Sequence, residues 1–211
     1  MSGLPPLYGL VLAGGESRRM GRDKALLEYH GRPQLEWAYE LLARHCERAF
    51  ISVRASHAND GVRAALPRIV DGAAGQGPIA GIAAAQAAHP GAAWLVVACD
   101  LPFLDDALIA DLLARRGNHP VTAYRSSHDG LPEPLCAIYE PSTREDILAA
   151  IEAGRHCPRK FIIATGVPLL ELPRATALDN VNTPEDLTGA NGRLAGLADP
   201  PAALSLRVDI E

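Results

Sequence analysis

Apolar residues along this chain fall into short dense blocks that alternate with longer stretches patterned at helical period. Leu10-Val11-Leu12 is an apolar run that stops just before the glycine pair Gly14-Gly15, and reads as a buried strand. Residues 34–45 carry apolar side chains three and four apart among strong helix formers, which predicts an amphipathic helix. The same reading gives a strand near 49–53, a helix near 58–65, and a strand over 67–70 that ends at Asp71. A second glycine-rich stretch runs from Gly72 to Gly81 into an alanine-rich helix over 79–88. Trp94-Leu-Val-Val-Ala-Cys99 is the clearest core strand and ends in Asp100-Leu-Pro102; a helix near 105–115 and a strand near 120–124 come next. Strand–helix alternation of this kind implies an α/β fold, a mostly parallel sheet in three αβα layers. Ligands then sit outside the carboxyl ends of the strands, where the loop after the first strand, Asp71 and Asp100 all fall.

The second half changes character. Pro132–Tyr139 reads as a strand, and residues 142–153 as a helix closed by Gly154. Short strands are predicted near 161–164 and 168–171. Thr183, followed by Pro184, Glu185 and Asp186, is a helix start: an N-cap, a proline in the first turn, and acids at the positive end of the dipole. One domain is expected over residues 1–190, with a tail over 191–211 that is loose or adds an edge strand, since residues 204–210 alternate.

Composition narrows the function. With 211 residues, 48% hydrophobic and only 5% aromatic, the core must be built from Ala, Leu, Ile and Val. A formal charge of −5 argues against nucleic acid as a partner, and no apolar run is long enough to make a membrane one. The four cysteines (Cys46, Cys99, Cys136, Cys157) form no Cys-x-x-Cys pair, so reduced thiols and a cytoplasmic location are expected. The seven histidines show no metal-like spacing and are read mostly as surface residues.

Positive charge is concentrated instead at Arg18, Arg19, Arg22 and Lys24, in a loop that also holds Gly14, Gly15 and Gly21. Glycine lets a ligand approach the main chain, bare amides form an anion-binding concavity, and arginine and lysine supply countercharge. Such a loop suits a nucleoside triphosphate. It is not a P-loop, because Arg22 rather than Lys-Ser/Thr follows Gly21; nor is it the dinucleotide fingerprint, whose glycine spacing and later acid are missing. Asp100 at a strand end is a candidate holder of a divalent cation carried by the triphosphate, and Asp71 a candidate acceptor for ribose or base. Asn180 and Asn182 are candidates for metal or phosphate, or for structural turn roles.

The stretch Leu12-Ala-Gly-Gly-Glu-Ser-Arg-Arg-Met-Gly-Arg-Asp-Lys24 resembles the Leu-Ala-Gly-Gly-x-Ser-x-Arg-Met-Gly-x-Asp-Lys motif of the molybdenum cofactor guanylyltransferases, the MobA family. The likeness continues through Gly77-Pro-Ile-Ala-Gly81, Cys99-Asp-Leu-Pro102 and Asn180-Val-Asn-Thr-Pro-Glu-Asp-Leu187, and so covers about residues 8–188. It implies a Rossmann-like nucleotidyltransferase sheet and an enzyme that joins GMP from Mg·GTP to the terminal phosphate of molybdopterin, releasing pyrophosphate. Carried over by position, Leu12, Ala13, Gly14, Gly15, Lys24 and Asp71 contact GTP, and Asp100 binds Mg2+. By similarity to related nucleotidyltransferases Asn182 assists the metal. Lys24, Arg19 and Asp100 are the expected catalytic residues. GTP and molybdopterin are the implied partners, with molybdopterin-synthesis or molybdoenzyme-maturation proteins beside them.

Two departures bear on this. The strand Phe50-Ile-Ser-Val-Arg54 lacks the asparagine that some members place near its end, so that contact is lost or replaced by Ser52 or Arg54. Cytidylyltransferase relatives tend to carry Ala-Ala-Gly where this chain has Ala13-Gly14-Gly15, which favours guanine. The alternatives at this point are a transferase using CTP or ATP, one acting on a sugar or polyol phosphate, and a nucleotide-binding module without catalysis.

Overall fold

The structure, a computed structural model, describes residues 3–13, 23–57, 61–71 and 77–181. Six strands form one sheet: β1 (Leu7–Leu12), β2 (Arg48–Arg54), β3 (Arg68–Asp71), β4 (Ala93–Ala98), β5 (Val121–Arg125) and β6 (Pro132–Tyr139), in the order β3-β2-β1-β4-β6-β5. The first four run parallel, while β6 is antiparallel to both β4 and β5. Parallel strands need crossover helices, and the chain supplies α1 (Gln34–His45) between β1 and β2, α2 (Gly61–Ala65) before β3, and α3 (Pro78–Ala88) before β4. Strand order reverses between β1 and β4, which opens a crevice at their carboxyl ends.

Every residue of β4 is buried, because the sheet is covered on both faces. Leu95 and Val97 pack with Val11, Leu35, Leu41 and Leu108 on the face of α1 and α4 (Asp106–Ala114). Trp94 and Val96 pack with Leu10, Ile79, Ile82, Ile147 and Phe161 on the face of α3, α5 (Arg144–Glu152) and α6 (Pro158–Thr165). The two sets alternate along one strand with the pleat. Two glycines permit close approach of helix to sheet. A Cβ on Gly9 would stand 2.8 Å from Leu42 Cβ on α1; one on Gly81 of α3 would stand 2.5 Å from Ser52 Oγ and 2.9 Å from Leu12 Cδ2.

The elements read from the sequence are reproduced over most of the described chain. One is corrected outright: residues 161–164 are not a strand but the middle of α6. Proline occupies its first turn and Gly166, at φ +67, closes it in the left-handed conformation. Phe161 and Ile162 face the core while Ile163 is exposed, so the apolar triplet is one helix face and its edge. Residues 168–171 contribute one isolated bridge, Tyr124 to Leu170, and the helix predicted over 142–153 begins as a 3-10 turn at Pro141–Thr143. The helix expected at Thr183 and the tail over 191–211 lie outside the described residues.

Candidate nucleotide site

Sheet register brings the sequence-predicted residues to one edge. Leu12 is opposite Ser52 on one side and Ala98 on the other, and Arg54 is opposite Asp71. Beyond β1 the main chain stays in the sheet for one more step: the Ala13 amide donates to Ser52 O at 3.0 Å, and the Cys99 amide donates to Leu12 O at 3.4 Å. The first residue of the glycine loop is therefore held between β2 and β4. Its side chain is buried, and Gly81 of α3 closes down directly on Leu12 and Ser52.

Asp71 ends β3 half-buried. Burial holds its carboxyl above the usual carboxylate range, with the Arg54 charge and a 3.5 Å hydrogen bond from Ser52 Oγ acting in the opposite direction. The two proposed replacements for the family asparagine stand in different surroundings. Ser52 is 1% exposed and hemmed in by Asp71 and Gly81, whereas Arg54 is half-buried at the strand end beside Asp71.

Asp100 follows β4 at the switch point, in a turn braced from three directions. The Val181 amide donates to Asp100 O at 3.2 Å, Gln34 Nε2 to Leu101 O at 3.4 Å, and His30 Nε2 to Pro102 O at 3.1 Å. His30 stacks on Trp37 with ring centroids 4.2 Å apart. Burial lowers its pKa and the nearby Arg32 charge acts the same way, against the opposing pull of the bond to Pro102; because a carbonyl oxygen only accepts, Nε2 is the donor in that bond. His30, one of seven histidines read mostly as surface residues, is half-buried and supports the aspartate turn. Phe103 and Val181 join Leu27 and Tyr29 in a small apolar cluster beneath that turn.

A metal cage is not what these residues build. Among the described residues no three His, Cys, Asp or Glu side chains gather as ligands. A single carboxylate at a strand end suits Mg2+ instead, which keeps waters and substrate phosphates in its shell and takes one or two carboxylates from protein.

Not all of the predicted residues are brought together here. Lys24 opens the 3-10 turn Lys24–Leu26, but its side chain, and all of Gly14, Gly15, Arg19 and Asn182, lie outside the described residues. Asn180 is exposed and immediately precedes Val181. What sequence reasoning missed is Arg63. It is 3% exposed on α2 and makes a two-pronged ion pair with Asp23, Nη1 to Oδ2 at 2.7 Å and Nη2 to Oδ1 at 2.9 Å. Nothing local marks it, because its partners lie 40 and 50 positions upstream.

The basic stretch Arg155–Lys160 reaches the same edge: His156 O lies 3.8 Å from where a Cβ on Gly77 would stand, at the start of α3. Arg159 is committed elsewhere, 2.7 Å from Asp129 and 3.6 Å from Glu133. Arg155 and Lys160 line a groove of about 360 Å³ between α5 and α6, together with Asp146 and Phe161.

This geometry has close relatives. The model of the MobA-like NTP transferase domain matches residues 9–169. A molybdenum cofactor biosynthesis bifunctional protein from Synechocystis sp. is 40% identical over 86% of the chain, which spans only 52% of that longer protein. The molybdenum cofactor guanylyltransferase of Pseudomonas aeruginosa is 35% identical over 87% of this chain and 94% of its own length. Among solved structures, molybdopterin-guanine dinucleotide biosynthesis protein A from Archaeoglobus fulgidus superposes with a TM-score of 0.72 at 23% identity, covering 90% of this chain and 99% of that one, which supports the fold. With a strand-end loop, two strand-end carboxylates and a matching model across most of its length, the chain belongs to the MobA-like NTP transferase family.

Proposed function

We propose that this chain transfers GMP from GTP to the terminal phosphate of molybdopterin. The observation that carries the reading is the common edge of β1, β3 and β4, where Leu12 and Ala13, Asp71 and Asp100 lie at the carboxyl ends of parallel strands of one sheet, on both sides of the switch point. The likeness to the Synechocystis molybdenum cofactor biosynthesis protein and the Pseudomonas molybdenum cofactor guanylyltransferase supports the same chemistry.

An oxygen of the acceptor phosphate attacks the α-phosphorus of GTP, the bond from that phosphorus to the bridging oxygen breaks, and pyrophosphate leaves. A phosphate monoester has its second pKa near about 6, so its oxygen is already ionised at neutral pH and no protein base is needed. The barrier is the meeting of two anions. Loop amides at Gly14 and Gly15, together with Arg19 and Lys24, neutralise and orient the triphosphate. Leu12 and Ala13 offer main chain to the nucleoside, and Asp71 accepts from it. Asp100, with Asn182 as the second candidate ligand, would hold Mg2+, which supplies further countercharge to the phosphates. The braced turn at Asp100 keeps that carboxylate in place without cost at the moment of reaction. Arg155 and Lys160 receive the anionic pterin.

The test is pyrophosphate release from Mg·GTP by the purified chain, with and without molybdopterin. Release that depends on both substrates is expected; release with CTP in preference to GTP, or none with molybdopterin present, overturns the reading.

A further inference from the structure

Ala13 and Asp23 flank residues 14–22 of the glycine-rich loop, and one guanidinium touches both. Arg63 Nη2 lies 3.4 Å from Ala13 O and 2.9 Å from Asp23 Oδ1, while Nη1 lies 2.7 Å from Asp23 Oδ2. Asp23 Oδ1 also accepts from the Ala25 amide at 3.1 Å, which ties the carboxylate to the 3-10 turn that begins at Lys24. Ala13 in turn is fixed to β2 through Ser52 O. A chain of contacts thus runs from the sheet through Ala13, Arg63 and Asp23 to the backbone of Ala25, in the turn that Lys24 opens.

We propose that Arg63 is a positioning residue for the nucleotide site: it fixes the spacing of Ala13 and Asp23, and the affinity for the triphosphate depends on that spacing. This rests on the nucleotidyl-transfer reading. Arg63 does not itself serve as a phosphate ligand. It is 3% exposed, and its charge is taken up by Asp23 in a two-pronged pair that only a planar guanidinium makes. Burial of a cation is costly, and a carboxylate that is itself 35% exposed is a poor reason to bury one for stability alone. A geometric role is the better account. Burial pulls the Asp23 carboxyl upward, yet the Arg63 hydrogen bond, the Ala25 amide and the Arg63 and His57 charges outweigh it and hold the group below the usual range. Asp23 therefore stays ionised and the clamp stays closed at neutral pH. The pair also gives the Asp preceding Lys24 in the loop motif a role apart from the nucleotide.

The experiment is calorimetric titration of Mg·GTP into the full chain, with melting temperature recorded beside it, for wild type, Arg63→Lys, Arg63→Met, Asp23→Asn and the Arg63→Met/Asp23→Asn double variant. Loss of preorganisation is expected to weaken GTP binding on the order of tenfold in each single variant. The double variant is expected to be no weaker than the weaker single one, because both changes open the same clamp. In turnover, KM for GTP rises more than KM for the acceptor. A merely structural role predicts a lowered melting temperature with unchanged GTP affinity in the folded protein, and that result overturns the proposal. So does multiplication of the two single losses in the double variant. Should Arg63→Met fail to fold, Arg63→Lys decides alone: it keeps the charge but loses the fork, and wild-type affinity there overturns the proposal. Wild type that takes up no Mg·GTP overturns the functional reading itself, whereas wild type that binds alongside an equally tight Arg63→Lys overturns only the positioning role.

Discussion

Ser52 donates its hydroxyl to Asp71 across 3.5 Å, from the middle strand of three to the carboxylate that ends the outermost one. The bond does not rescue Asp71 from its surroundings: burial still holds its carboxyl above the ordinary value. The sign of the consequence is fixed. Between the unfolded and folded pKa values the folded state binds more protons, so stability falls as pH rises through that window, and the ionised group is a net cost at neutral pH. Asp71→Asn should therefore melt at the same temperature as wild type or higher at neutral pH, with the advantage vanishing below the carboxylate range. Mg·GTP affinity should fall by about tenfold or more, as for a lost charge-assisted contact. Melting curves at both pH values and a GTP titration check this, and a destabilised Asp71→Asn would contradict the sign.

Asp100→Ala and Lys24→Ala should each lower turnover by on the order of 10²–10³, the usual cost of one electrostatic contact to a developing charge. Both should fold normally. The Asp100 turn is held through main-chain carbonyls by Val181, Gln34 and His30, none of which involves the Asp100 carboxylate. Rates within a factor of a few of wild type, in a variant shown to be folded by circular dichroism, would remove that residue from the reaction.

Gly81→Ala tests how tightly α3 rides on the strand ends. The added methyl would stand 2.5 Å from Ser52 Oγ and 2.9 Å from Leu12 Cδ2, so these side chains or α3 must shift. Overpacking of this kind costs about 1–3 kcal/mol. Ser52→Ala removes the nearest atom, so the Gly81→Ala/Ser52→Ala pair should lose less stability than the two single changes summed. Chemical denaturation of the four proteins measures the coupling, and strict additivity would mean that α3 simply shifts.

Legibility in the sequence tracks how local the cause is. β1, α1, β3 and β4 were readable because apolar period and turn residues sit within a dozen positions; the placing of Leu12, Asp71 and Asp100 on one edge then followed from parallel topology alone. The apolar triplet Phe161-Ile-Ile163 misled because three residues cannot separate a strand from a helix face; Pro158 and Gly166 at its two ends were the better signal. His30, Gln34 and Arg63 carried no signal, since each earns its role from a partner 40 or more positions away. The asparagine missing from β2 was visible as a gap, but only burial showed that Ser52 is confined while Arg54 stands at the strand end.

Arg155, Arg159 and Lys160 lie close together in the sequence, and the structure divides them. Arg159 is paired with Asp129 of the β5–β6 turn and approaches Glu133, so its charge is already spent. Arg155 and Lys160 instead face the groove between α5 and α6. An anionic acceptor gains most from cations whose charge is not already matched at short range. Arg155→Ala and Lys160→Ala should therefore raise KM for molybdopterin several-fold while leaving GTP affinity unchanged. Arg159→Ala should leave both constants alone and change the melting temperature little, as for an exposed ion pair. The measurement is steady-state pyrophosphate release with each substrate varied in turn. A raised acceptor KM in Arg159→Ala alone would place the pterin on the β5–β6 side of the edge and take it out of the groove.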